Sequence, residues 1–398
     1  MRETTNHLLV LEALRAHPAS SRPDLVRLTG LSRPTVSALV DELLAHAMLE
    51  EQAAGEPGGP ERPAMGRPPR LLRLAPTAAY AIGLEFERDH VGWVVCDLSG
   101  RALAGARRAI AVDAPSAESI ELVASLVERR LATAGIAREA ILGAGVAIAA
   151  PIERPSGALH ADDLLPGWTG AAPLPQLEAR LGVPVVLDND ANAGALGERA
   201  FGAGRGADDL VYVRLSSGVG AGLVVGGALY AGGAGMAGEI GHTTVVEDGP
   251  ICRCGNRGCL EAVASPPAVA ALLEAAAGEP VDVERLLALV AEGHRGAVRA
   301  VADAGELVGR ALATTINVLN PRVVVLGGEL AETGDVLLEA VHRALRRHSS
   351  PPVAATVEVR LGTLGEQAEV LGAAALVLAD APRRLAGRLL SGAPPAAA

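Results

Sequence analysis

The stretch from Glu239 to Glu261 limits this chain more than any other. It reads Glu239-Ile-Gly-His242, nine further residues, then Cys252-Arg-Cys254-Gly-Asn-Arg-Gly-Cys259-Leu-Glu261. One imidazole and three thiols within eighteen residues make a sufficient donor set for tetrahedral Zn²⁺. Gly255 and Gly258 allow the tight turns that bring the thiols together. Three of the four cysteines in the chain fall in this run, which argues against four unrelated buried residues. His242, Cys252, Cys254 and Cys259 are therefore the expected metal ligands. Four protein donors leave no open position for an activated water, so the expected ion is structural.

Glu239 and Glu261 flank the ligands. A metal pinning this loop would also fix two carboxylates, and carboxylates beside an imidazole suit the hydroxyls of a polyol. At this point the sequence resembles the ROK family, a group of bacterial sugar kinases and sugar-responsive repressors marked by this His and Cys pattern. The resemblance covers roughly residues 78–380. It implies that Glu239, His242 and Glu261 contact a sugar while His242 also holds zinc.

Length and charge then set the outer bounds. At 398 residues the chain is long enough for two or three domains. No run of eighteen apolar residues occurs, so no membrane span is expected. Met1-Arg-Glu-Thr-Thr-Asn-His7 lacks the charged and apolar regions of a signal peptide. Thiols set out for metal suit a reducing cytoplasm, the expected location. The net charge of -11 is unevenly spread, because residues 1–75 hold nine Arg against nine acids. An acidic body disfavours nucleic acid lying across it; the neutral head is where DNA could bind.

In that head, Leu8, Leu9, Leu11 and Leu14 have helical spacing over residues 6–17, and Pro18 ends the helix. Ser20 and Ser21 are candidate caps of a second helix, with Pro23 and Asp24 in its first turn. Gly30 supplies a turn, and Ser32 caps a third helix with Val36, Leu39, Val40 and Leu43 inward. Two short helices joined by a glycine turn fit a helix-turn-helix. Ser32, Arg33, Thr35, Ser37 and Ala38 would then stand at the reading end of the recognition helix. Met48–Glu50 and Leu71–Leu74 read as two wing strands around a Pro/Gly-rich segment, Gly55–Pro69, in the order that ROK repressors show. Arg67 in that segment is a candidate for an A·T-rich minor groove, or for a solvated linker.

From Tyr80 the pattern changes. Runs at 80–86, 91–97, 101–111, 141–148 and 185–188 read as strands, with an amphipathic helix over 116–133. A similar order recurs in the runs at 210–215, 220–225 and 323–326, with a helix over 304–318. The duplication predicts an α/β fold of the actin-like ATPase (ribonuclease H-like) kind, two lobes over a cleft. The expected organisation is a winged helix-turn-helix over 1–75, with wing and linker at 50–75, then a first lobe over 76–189. A second lobe with the zinc loop would span 190–365. By analogy with the family, a C-terminal helix at about 366–380 completes the first lobe. Residues 381–398 are expected to be a disordered tail.

Three cleft motifs bear on activity. Leu187-Asp188-Asn189-Asp190-Ala191-Asn192 ends a strand, and the resemblance makes Asn189 and Asp190 sugar contacts, with Asp190 the general base if the chain is a kinase. An Asp-Asn helix cap would use the same residues. Sugar kinases of the family open their first lobe with a Gly-Gly-Thr-Lys phosphate loop, whereas this chain reads Gly83-Leu-Glu85-Phe-Glu87-Arg88-Asp89-His90. Glu87 and Asp89 would face the phosphates there. At ~4 Å a pair of like charges costs about 4 kcal/mol at an effective dielectric near 20, roughly a thousandfold in affinity. Ser216–Gly222 and Leu326–Gly328 still look like nucleotide loops, though the need for tight glycine turns in folding the second lobe is the favoured explanation. Trp168 either stacks on a pyranose or seals its lobe, and Leu164 stands where the family often has Asn.

These readings converge on a sugar-responsive transcription factor, a repressor, and not an enzyme. Its expected ligands are structural Zn²⁺, a sugar or sugar phosphate, and a palindromic double-stranded operator, bound as a homodimer or homotetramer. Two alternatives stay open: a ROK sugar kinase carrying a DNA-binding head, and a zinc-dependent scaffold that docks a phosphotransferase protein.

Overall fold

The computed structural model describes residues 2–53, 70–154, 156–161 and 164–390. The head is built from α1 (Arg2–Ala16), α2 (Arg22–Thr29), α3 (Arg33–Ala45), β1 (Leu49–Ala53) and β2 (Arg70–Leu74). Ser21 caps α2 in a reciprocal box with Asp24, and Gly30 ends it in the left-handed conformation at φ 69°. Ser32 caps α3 by accepting from the Thr35 N–H. The strands pair antiparallel, Leu49 opposite Leu74, which completes a wing. Arg67 and the rest of 54–69 lie outside the described residues.

The first lobe follows with β3 (Tyr80–Phe86), β4 (His90–Asp97), β5 (Ala102–Ala109), α4 (Ser116–Ala134), β6 (Ile141–Ile148), α5 (Pro173–Leu181) and β7 (Val185–Asn189). Its sheet runs β5-β4-β3-β6-β7. Strands β3, β6 and β7 are parallel, and the hairpin strands β4 and β5 alternate in direction. The central strands β3 and β6 are buried along their whole length, as parallel strands covered on both faces must be.

Helix α6 (Asp190–Phe201) leaves β7 directly. The second lobe then lays down β8 (Leu210–Leu215), β9 (Val219–Val225), β10 (Ala228–Leu229), α7 (Leu260–Ala264), α8 (Pro266–Ala277), α9 (Val283–Ala291) and α10 (Arg295–Leu319). β11 (Val323–Gly327), α11 (Asp335–His348), α12 (Pro351–Ala354) and β12 (Glu358–Leu361) complete it. Its sheet order, β10-β9-β8-β11-β12, repeats the pattern of the first: an antiparallel hairpin beside three parallel strands. The duplication expected from the sequence is therefore present, strand for strand.

Two C-terminal helices return to the start of the chain. Helix α13 (Ala368–Leu378) lies between the first sheet and α6, so close that small residues are obligatory. A Cβ at Gly145 would meet the Ala373 carbonyl oxygen at 1.7 Å, and one at Gly372 would meet that of Ala193 at the same distance. Helix α14 (Ala381–Leu390) overturns the expectation of a disordered tail from 381: residues 381–390 are helical and pack on α1. Leu385, Ala386 and Leu389 join Val10, Leu11 and Leu14 in one apolar core with Leu142, Leu371 and Val377. Arg384 and Arg388 donate to the Leu142 and Ile141 carbonyls. The helix forms because its apolar face finds a partner some 370 residues upstream in sequence, which no local pattern announces.

Candidate functional site

Where the strands of both lobes end, a cavity opens between them. Asn189, Asp190, Glu239, His242 and Glu261 all line it, so the five expected sugar contacts do meet in one place. Arg214, Arg253 and Asn192 line it too; these three the sequence reading missed.

Each side chain is held by its own element. Asn189 ends β7 and caps α6, accepting from the Ala191 and Asn192 N–H groups, while its Nδ2 donates to the Ala150 carbonyl at 3.2 Å. The helix-cap role and the pocket position therefore coexist. Asp190 opens α6 and is buried; Oδ1 accepts from the Ala191 N–H at 2.7 Å, and Oδ2 lies 3.0 Å from Arg214 Nη1. Burial pushes this carboxyl up to about 6 against the pull of Arg214. Glu261 accepts from the Val219 N–H at 3.1 Å and from Arg253 Nη2 at 2.6 Å. Glu239 stands exposed at the rim, its carboxylate 3.7 Å from His242 Nε2.

His242 joins pocket to metal centre. Its Nε2 faces Glu239, and its Nδ1 lies 3.7 Å from Cys252 Sγ. Cys254 and Cys259 sulfurs are also 3.7 Å apart, and the four donor atoms all fall within 4.8 Å of one another. A tetrahedron with ~2.3 Å metal–sulfur bonds has edges of about 3.8 Å. The donor set therefore fits a single tetrahedral ion. Burial and the neighbouring thiols push Cys259 up to about 12, so three thiolates here call for a compensating cation. The expected glycine turns are present: Gly258 has φ 65°, and a Cβ there would strike the Val246 carbonyl oxygen at 1.6 Å.

One expectation about the cleft needs correction. Glu87 does not turn a bare charge toward the nucleotide side. It is buried, ion-paired to Arg214, and accepts from Ser217 Oγ at 3.2 Å. Asp89 is exposed and pairs with His90 at 2.8 Å. The repulsion argument therefore overstates the free charge at 87. Trp168 does not line the cavity; it is buried against Phe86 with ring centroids 4.7 Å apart, sealing the lobe. Leu164 does line it. A second, smaller cavity is lined by Arg107, Arg214, Ser216, Glu329, Glu332, Glu366 and Glu369.

The head presents its recognition helix to solvent. Ser32, Arg33 and Ala38 are exposed, Thr35 and Ser37 half-buried, and Val36, Leu39, Val40 and Leu43 point into the core. Arg22 ties α2 to α3 through Asp41 at 2.7 Å.

The sequence model of the ROK family matches residues 81–380. The chain belongs to the ROK family. Ahead of that match, residues 4–58 fit the MarR family model, the winged-helix segment. A putative xylose repressor from Caldicellulosiruptor sp. (strain Rt8B.4) is 30% identical over 389 residues, covering 94% of this chain and 96% of that one. Glucokinase from Thermotoga maritima is 35% identical over 247 residues, 58% of this chain and 78% of its own. The fold matches the crystal structure of a ROK family transcriptional regulator, a homologue of E. coli MLC protein. That match has a TM-score of 0.79, 24% identity, and coverage of 98% of this chain and 99% of that one. Among the described residues no helix is long and apolar enough to cross a membrane.

Proposed function

We propose that this ROK protein is a transcriptional repressor whose DNA binding responds to a sugar. The observation that carries the reading is a winged helix joined through one apolar core to the first lobe, whose cleft is lined by five polar side chains, Asn189, Asp190, Glu239, His242 and Glu261. The full-length similarity to a xylose repressor supports it, because that match runs through the head. The sugar sits against Asn189, Asp190, Glu239, His242 and Glu261. A structural Zn²⁺ held by His242 Nδ1 and the thiolates of Cys252, Cys254 and Cys259 fixes the loop that carries Glu239 and Glu261. With Nδ1 on the metal, the Nε2–H is left to donate into the pocket.

Ser32, Arg33, Thr35, Ser37 and Ala38 face operator DNA, and Arg67, outside the described residues, is kept as a candidate for a minor-groove contact. A palindromic operator requires at least a two-fold dimer. Half-sites about 34–36 Å apart, or multiples of that, make the spacing of the two recognition helices the regulated quantity. The chain works in the cytoplasm, where its thiols stay reduced.

The second reading, a sugar kinase with a DNA-binding head, has the glucokinase similarity in its favour. Against it stands the Arg214–Glu87 ion pair, which occupies the turn where a first phosphate loop would lie. The segment Glu85–His90 also lacks the glycines and lysine of a phosphate loop. Calorimetric titration with D-xylose, D-glucose and amino sugars, free and phosphorylated, tests the pocket. Incubation with ATP, Mg²⁺ and the bound sugar tests the kinase reading. Saturable sugar binding without turnover supports the proposal; steady sugar phosphate production overturns it.

A further inference from the structure

Arg214 has no role in the reading so far, yet it occupies the centre of the cleft. It is the penultimate residue of β8 and is 5% exposed. Its Nη2 pairs with Glu87 from the β3–β4 turn, its Nη1 with Asp190 at the start of α6, and its Nε with Glu369 of α13 at 3.3 Å. Tyr212 Oη donates to the same Glu369 oxygen at 3.0 Å. One guanidinium therefore ties together the first lobe, the second lobe and the helix between them.

The place is telling. Glu87 stands in the turn where a sugar kinase would carry its first phosphate loop, and Arg214 immediately precedes the Ser216–Gly222 loop. In a nucleotide-bound cleft two sets of donors are drawn together by the anion between them. Here an anion on one side and a cation on the other draw the same two segments together directly. Each of the three guanidinium nitrogens already faces a carboxylate, so the charge of Arg214 is answered within the protein.

We propose that Arg214 is the positioning residue of the effector pocket: it closes the inner end of the cleft without a nucleotide and fixes Asp190 as an anionic acceptor for a sugar hydroxyl. This rests on the sugar-pocket reading and adds the element that orients its central acid. With Oδ1 bound to the Ala191 N–H and Oδ2 to Arg214, the Asp190 carboxylate cannot rotate. Several charges bear on it. They are Arg214 of β8, Glu85 and Glu87 of the first lobe, Glu369 of α13, and the Asp188–Arg154 pair beside its own helix. Across the cavity stand Glu239, His242 and the Glu261–Arg253 pair. Arg214 favours the charged form of Asp190, while burial and the carboxylates of Glu87 and Glu85 oppose it.

The test compares variants of the zinc-loaded full chain, titrated calorimetrically with D-xylose and D-glucose between pH 5.5 and 8. For the wild type, affinity should fall as pH drops through about 6. Arg214→Gln should weaken binding at pH 7 at least ~10-fold and move that midpoint upward by about one unit, and Arg214→Lys should recover part of the loss. Glu87→Gln removes an opposing charge and should move the midpoint downward. The zinc-loop groups are the same in all variants, so opposite displacements report Asp190 and not overall packing. An Arg214→Gln protein with unchanged circular dichroism and zinc content, yet wild-type affinity and midpoint, overturns the proposal. Should that variant fail to fold, a Glu87→Gln midpoint that stays put or rises overturns it equally. Wild-type protein that binds no sugar in the panel refutes the pocket reading, and the positioning role with it.

Discussion

Asp190 Oδ2 lies 3.0 Å from Arg214 Nη1, so the acid that would accept a hydroxyl proton in a sugar kinase is here one arm of a buried ion pair. Burial pushes this carboxyl up to about 6 while Arg214 favours its charged form, so Asp190 is held in place as a hydrogen-bond acceptor toward the cavity.

Asp190→Asn should therefore preserve the fold and damage binding. A hydrogen bond to a charged acceptor contributes about 1.5–3 kcal/mol, so sugar affinity should drop roughly 10- to 150-fold. Calorimetry on the variant, with its melting curve as control, measures this.

Metal removal should act on the pocket before it acts on the fold. Cys254 is the exposed member of the ligand set, so Cys254→Ser removes a donor with little loss of core packing. Bound zinc by mass spectrometry should fall from one per chain, and sugar binding should disappear while far-UV circular dichroism is retained. Chelation of the wild type should reproduce the result.

Helix α14 should govern how firmly the head is held. Leu385 is fully buried in the core it shares with α1. Leu385→Ala should cost about 2–5 kcal/mol of that packing. Ending the chain at Asp380 should expose the apolar face of α1 and lower the temperature at which the head unfolds. Hydrogen exchange of residues 8–14 reads both changes.

The alkaline limb of stability should trace to His90. Burial works against its charge, but Glu85 and Asp89 hold it up to about 9. A histidine raised in the folded state contributes stability that is fully present below about 6.5 and lost as pH rises through about 9. The contribution is no more than about 3 kcal/mol. His90→Gln should lower the melting temperature near pH 6 and flatten its decline toward pH 9.5.

What could be read from the sequence was whatever chemistry writes locally. Four soft donors at close spacing announce a metal loop, and Ser21, Gly30 and Ser32 announce helix ends within three residues of where they act. Most strands of both lobes are likewise legible as apolar runs, whereas β10 and β12 are not, being two and four residues long with Glu358 and Arg360 breaking the second. Arg214 was not legible, since it sits inside such a run and its partners Glu87 and Glu369 lie 127 and 155 residues away. Glu87 was misread for the same reason: its charge is real, but the cation that answers it comes from the other lobe. Residues 381–390 read as a tail because the segment is short and holds Pro382 and Gly387, and its stripe of Leu385, Ala386 and Leu389 has its partner only on α1.

The most direct measurement is DNA affinity of the zinc-loaded protein, by fluorescence anisotropy on a fragment selected from a random pool, titrated with the sugar that calorimetry identifies. This account predicts saturable release at the concentrations that fill the pocket, with no ATP present. Sugar occupying the pocket while DNA affinity stays constant would contradict it.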